Sequence, residues 1–270
     1  VALSVSFVAF RPRPRWGLWV GVWGWKGETE INDPLTLPSP ARGEGLCFSR
    51  ANTDCKDDPM TELRVYLLVK DLARQFAAYM STPTRARGYP PMQGEHSLII
   101  EVAPALAIHR ICDLALKSAP DMEPGLLYTE RQYGILELHA ADLDHLMATG
   151  DAILKGIGRK AEDQLKPRTL YADIIENVSD QHAIILNRTR EASMLLPGKS
   201  LLVYELEPAL FASVAANEAE RVAPGITLVD VQMIGASGRL FLAGTRKECE
   251  RARDRIDEVL GGIIGRTGKN

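Results

Sequence analysis

Cysteine is scarce in this chain and unpatterned. Cys47, Cys55, Cys112 and Cys249 form no CxxC pair and no dense framework. Neither a zinc ribbon nor a disulfide-stapled fold is encoded, and a reduced, cytosolic setting is the simplest reading. Cations are not in excess either. With 32 Lys+Arg against 35 Asp+Glu the formal net charge is −3, which leaves no basic track for a nucleic-acid backbone. Long apolar runs are missing: residues 1–10 are the most apolar segment and are too short to span a bilayer. Arg11, Arg13 and Arg15 follow that segment rather than precede it, the reverse of an export signal. Tryptophan is absent after Trp25, all four being crowded into residues 16–25.

Recognisable catalytic chemistry is lacking too. There is no HExxH, no nucleophile elbow, and no Ser or Cys beside an evident base. Gly198-Lys199-Ser200 imitates the end of a phosphate-binding loop, but Ser193 stands where the motif needs glycine and the segment feeds a strand. Gly150, Gly156 and Gly158 sit at a helix end, not after a strand, so they form no dinucleotide fingerprint. His139, Asp142, Asp144 and His145 could suggest metal ligands, yet acids in a first helical turn follow from the helix dipole alone. His109 and Arg110 read as surface or interface residues. No enzyme, cofactor or metal is expected.

What the chain does have is a repeat. SLIIEVAPALAIHRICDLALKSAP from Ser97 is echoed by SLLVYELEPALFASVAANEAERVAP from Ser200. From Pro104 onward one gap-free register holds at an offset of 104 residues, pairing Pro104 with Pro208, Ala119 with Ala223 and Gly134 with Gly238. One α+β unit has been duplicated and fused, and internal pseudo-symmetry follows. The expected domains are 60–163 and 164–270, with Gln164–Arg168 as linker. Residues 1–59 read as translated upstream DNA ahead of a native start at Met60, or else as a genuine disordered tail.

Each module is expected to open with a β-hairpin, Val65–Val69 with Phe76–Ser81 and Tyr171–Ile175 with Ala183–Asn187. A core strand follows (Ser97–Val102, Lys199–Leu206), then a helix opened by Pro104 or Pro208. Two strands come next, near 126–131 and 135–138, and 226–233 and 239–243. A closing helix starts near Asp142 in one module and Arg246 in the other. The apolar stripe of the first helix is Ile108, Ile111, Cys112, Ala115 and Ala119. In the closing helices Leu143, Leu146, Met147, Ile153, Leu154 and Ile157, and Cys249, Ala252, Ile256, Val259 and Leu260, are expected to face inward.

Glu130-Arg131-Gln132-Tyr133-Gly134 places opposite charges side by side at a strand end before a glycine-marked turn. Neighbouring residues in extended chain point to opposite sides. A small rotation would therefore exchange a carboxylate for a guanidinium at one point in space. The plain alternative is a solvated turn. The same place in the second module, Ile234-Gly-Ala-Ser-Gly238, carries no charge, and Gly134, Gly235 and Gly238 are expected to give both loops flexibility.

The duplicated module, with Ala115-Leu-Lys-Ser-Ala119 on its helix, resembles the bacterial microcompartment (BMC) shell domain in its circularly permuted form. Leu63-Arg-Val-Tyr66, Gln75-x-Ala77-Ala-Tyr79, Ile108-His-Arg110, Glu130-Arg131-x-x-Gly134, Leu186-Asn187-Arg188 and Gly238-Arg239-Leu240 resemble the tandem-domain carboxysome shell proteins more closely. The resemblance covers residues 61–262, and His109-Arg110 leans it toward the α type. It implies two tandem permuted modules of ferredoxin-like kinship and a homotrimer that forms a pseudohexamer among other hexameric shell proteins. It further implies a gated pore at Glu130 and Arg131 that passes anionic sugar phosphates, and trimers able to stack in pairs. Ser237 departs from the aromatic residue that relatives often carry. The resemblance places the chain in the carboxysome shell inside the cytoplasm, with no nucleic-acid or membrane partner. The rival readings are a trimeric small-molecule-binding regulatory protein and a shell protein of another microcompartment.

Overall fold

The computed structural model describes residues 61–82 and 88–268, and the reading of residues 1–59 lies outside them. The first module comprises β1 (Glu62–Val69), α1 (Arg74–Met80), β2 (His96–Ala103), α2 (Ala107–Ser118), β3 (Glu123–Thr129), β4 (Gly134–Ala140) and α3 (Leu143–Ile157). The second repeats the order as β5 (Arg168–Ile175), α4 (Asp180–Leu186), β6 (Ser200–Glu207), α5 (Phe211–Val222), β7 (Thr227–Gln232), β8 (Gly238–Gly244) and α6 (Arg246–Gly262). Each module is an antiparallel four-stranded sheet, ordered β1-β2-β4-β3 and β5-β6-β8-β7. None of the described helices is long and apolar enough to cross a membrane.

The α+β class and the duplication stand as expected, and so do most elements. The two hairpins do not. Phe76–Ser81 and Ala183–Asn187 fall on helices α1 and α4. Phe76, Ala77, Tyr79 and Met80 are buried at positions i, i+1, i+3 and i+4, which is one face of a helix. The start of α1 has no local side-chain cap, and its N–H groups are satisfied from the other half of the chain. Ala73 N–H donates to Asn217 Oδ1 at 2.8 Å, and Gln75 N–H to both oxygens of Glu220 at 3.0 and 2.9 Å. A carboxylate at a helix N-terminus is favourable. Here it comes from a residue 145 positions away, which local pattern cannot show. The start of α4 carries a local cap, Ser179, which accepts from His182 N–H.

Pro104 and Pro208 do not open their helices. Each stands three residues earlier, after a cis peptide bond. Each begins a tighter turn, with Ala107 N–H on Pro104 O at 3.0 Å and Phe211 N–H on Pro208 O at 3.2 Å. Met147 is exposed at 44% instead of facing the core, because the α3 stripe is fully occupied by Leu146, Ile153, Leu154 and Ile157.

Helices α2 and α3 cover one face of the first sheet over Leu98, Ile100, Val102, Leu136 and Leu138. Helices α5 and α6 do the same for the second. The linker is a tied joint. Leu165 N–H donates to Arg64 O at 2.9 Å, and Lys166 N–H to Arg266 O at 2.9 Å. Gln164 Oε1 accepts Tyr66 N–H at 2.9 Å.

Candidate functional site

β3 and β4 end their ladder at Thr129–Gly134, so residues 130–133 make the connecting turn. Glu130 N–H donates to Tyr133 O at 2.8 Å and closes it. The Glu130 carboxylate folds back over the turn and accepts Gln132 N–H at 3.2 Å. Arg131 is exposed. The charges are thus adjacent but unpaired: among the described residues no ion pair joins Glu130 or Arg131 to another side chain.

The turn rests on a buried carboxylate. Glu101, on β2, is fully buried and takes Arg64 Nε at 2.7 Å, while its other oxygen, Oε2, has no hydrogen-bond partner. The Arg64 guanidinium lies 3.8 Å from the centre of the Tyr133 ring, a cation–π distance. Burial pushes the Glu101 carboxyl above its ordinary value against the pull of Arg64, and the charges of Glu130 and Glu62 add to the rise.

The second module places residues 233–237 in the matching position. Gly235 has φ +128°, a conformation that favours glycine. Gly134 and Gly238 have a different reason for being glycine. A Cβ on Gly134 would stand 2.2 Å from Ala105 O, and one on Gly238 2.3 Å from Ala209 O. Both are first residues of strands pressed against the turn that precedes a helix, so close packing rather than loop flexibility demands them. A pocket of about 520 Å³ lies between the two loops and the linker, lined by Arg64, Tyr133, Lys166, Arg168, Glu207 and Ala236 among others.

Asp142 is the N-cap of α3 and accepts Asp144 N–H at 2.9 Å. No metal-binding group of three or more His, Cys, Asp or Glu occurs among the described residues. Gly198, in the imitation phosphate loop, turns the chain into β6 at φ +77°. Sequence reasoning missed a buried polar group, Ser97, Glu137 and His139. Ser97 Oγ donates to Glu137 Oε1 at 2.6 Å, and His139 Nδ1 lies 3.3 Å from Glu137 Oε2. Burial presses the His139 pKa down, but the hydrogen bond and charge of Glu137, with Glu95 and Glu123, more than offset it and leave it raised. The available signal was the repeat itself, because Leu201, Phe241 and Ala243 hold these places in the second module.

Comparison with known proteins adds four findings. The family described as the CsoS1D N-terminal domain matches residues 63–163. The carboxysome shell protein CcmP of Synechococcus elongatus is 40% identical over 205 residues, covering 76% of this chain and 94% of that protein. The carboxysome shell protein CsoS1D of Prochlorococcus marinus is 40% identical over 192 residues, covering 71% and 73%. Among solved structures, the double-ringed trimeric shell protein MSM0271 from the RMM microcompartment is 62% identical, with a TM-score of 0.74 over 77% of this chain and all of that one.

Proposed function

This chain belongs to the carboxysome shell protein family that includes CcmP and CsoS1D, and from that premise we propose how it builds a shell. Three copies close into a ring of six modules, with residues 130–133 and 233–237 of each copy around the axis as a pore. Its role is structural, as in its named relatives, and not that of an enzyme.

One observation carries the assembly: the same elements are buried in one half of the chain and bare in the other. β1 and α1 reach across to the second module, where Val65, Leu67, Val69, Phe76 and Tyr79 pack into one core with α5. Gln75 donates to Ile226 O at 2.8 Å and accepts Leu228 N–H at 2.9 Å, and Tyr79 Oη donates to Val231 O. As a result α5 is buried almost all round, Ser213 and Asn217 included. Among the described residues, no module lies on the equivalent face of β5 and α4. Tyr171, at the place of Val65, and Ile185, at the place of Tyr79, are 55% and 64% exposed. At the other end α2 buries only Ile108, Ile111, Cys112 and Ala115. His109 and Asp113, at the places of Ser213 and Asn217, lie open.

A chain with one satisfied junction and one bare copy of each of its halves is built to join its own kind head to tail. Laying β5 and α4 of one copy on α2 of the next repeats the internal junction, and each large apolar side chain covered contributes about 1.5–3 kcal/mol. The chain with Tyr171→Glu and Ile185→Glu together is expected to sediment as a monomer at micromolar concentration, where the unaltered chain forms trimers or pairs of trimers. An altered chain that stays trimeric overturns the proposal.

Three Glu130 and three Arg131 then surround one axis. They cannot all point inward without repulsion, so the ring has two arrangements that a ligand can bias. The traffic that suits such a rim is small and anionic, with sugar phosphates as the class. The compartment has two readings. The curated relatives are carboxysome shell proteins, which supports the carboxysome, as the sequence motifs imply. The 62% identity with a shell protein of the RMM microcompartment, against 40% with the carboxysome proteins, favours a compartment of that second kind.

A further inference from the structure

The two modules tie their axial loops to the same glutamate in different ways. Glu101 and Glu205 are equivalent, each pairing with the second residue of the last strand to join the sheet's middle: Glu101 with Ile135 and Glu205 with Arg239. In the second module Glu205 Oε1 reaches the loop directly, accepting Ser237 Oγ at 2.7 Å and Arg239 Nε at 3.1 Å. The first module has Tyr133 in place of Ser237 and Ile135 in place of Arg239, and the Tyr133 ring meets Glu101 only through Arg64. Arg64 fills the gap from another strand. It is the extra residue at the irregularity between Leu63 and Val65 in β1, where β5 has Leu170 between Thr169 and Tyr171. Its Nε holds Glu101 at 2.7 Å, and its guanidinium carbon lies over the Tyr133 ring, 3.8 Å from the ring centre.

Arg64 therefore joins a fixed point of the sheet to the last residue of the turn that bears Glu130 and Arg131. Arg64 and Tyr133 both line the pocket beside the linker, so open volume adjoins the joint. Glu101 faces Arg64 and Glu62 from β1 and Glu130 from the turn, two carboxylates that oppose its ionised form and one cation that supports it. We propose that Arg64 is the positioning residue of the Glu130–Arg131 turn: anchored on Glu101, it holds the turn in its present conformation through Tyr133, and its release lets the turn move. This rests on the pore reading for its significance but not for its test.

The test scores the conformation of residues 130–133 in structures of the full chain at two pH values. In the unaltered protein, acidification protonates Glu101 earlier than an ordinary carboxylate, weakens its hold on Arg64, and lowers the share of the present conformation. Arg64→Gln is expected to lower that share about five-fold at neutral pH, the equilibrium weight of a modest cation–π contact, and to remove the response to pH. Because Arg64→Gln leaves a buried carboxylate without its cation, the double variant with Arg64→Gln and Glu101→Gln is measured beside it. It keeps a neutral pair, lacks the guanidinium on Tyr133, and is expected to free the turn equally. A turn that keeps its conformation in the double variant overturns the proposal. A turn that moves while permeability stays constant supports Arg64 as its positioner and counts against the pore.

Discussion

Glu130 and Arg131 differ in more than sign. Glu130 is half-buried, bonded to its own turn through Gln132 N–H, and close enough to Glu101 to push that carboxyl up. Arg131 faces solvent. Glu130→Ala is expected to unfasten the turn and relieve Glu101. The loss is that of one half-exposed charge-assisted hydrogen bond, about 1 kcal/mol after screening. Reconstituted shells should then pass a sugar phosphate about five-fold faster. Arg131→Ala should slow the same flux by a similar factor, because it removes the cation an anion would meet and leaves the carboxylates. Both variants should remain trimeric, since the turn lies away from α1, α4 and the helices they cover. Equal flux in the two variants would reduce the pair to a solvated turn. The adjacency of the two charges was legible in the sequence. Their unequal burial and the Arg64–Glu101 support were not, because these depend on residues 29 and more positions away.

At the scale of elements, the helix termini separate local from distant information. Thr245 caps α6 in a reciprocal box: Glu248 N–H donates to Thr245 Oγ1 at 3.3 Å, and Thr245 N–H donates to Glu248 Oε2 at 2.7 Å. Those bonds, from the Thr245 backbone first and its hydroxyl second, hold the Glu248 carboxyl below the usual carboxylate range. A carboxyl with a depressed folded value contributes stability that is complete above its unfolded value and is lost as pH falls through the folded one. Glu248→Gln should therefore flatten the acid limb of the stability curve below about pH 5 in urea unfolding followed by circular dichroism. Thr245→Ala should cost about 1 kcal/mol at neutral pH. An acid limb unchanged by Glu248→Gln would remove the box as its source. The Thr-x-x-Glu spacing was readable in the chain. The cap of α1 was not, since Glu220 and Asn217 arrive from the other module. That is why a short apolar run with no start signal of its own read as a strand.

For the whole molecule, the repeat makes one junction internal and leaves its twin open, so a single chain displays the contact it would make with the next. The compartment in which such rings stand is decided by content, not by fold. Shells purified from the source organism with this protein as the tag are expected to lack the carbon-fixing enzyme RuBisCO if the 62% relative indicates the compartment. RuBisCO retained in stoichiometric amounts would assign the carboxysome.

By itself the sequence determined the α+β class, the two modules and their register, the sheet strands, and the absence of recognisable catalytic chemistry. These follow from apolar period, turn residues and self-similarity, all of which are local or repeat at a fixed offset. The tertiary structure alone decided that α1 and α4 are helices, that Gly134 and Gly238 answer to packing, and that Glu101 is buried beneath the Glu130–Arg131 turn with Arg64 between it and Tyr133. Each of these depends on side chains brought together across strands or modules, where burial and pairing override local preference.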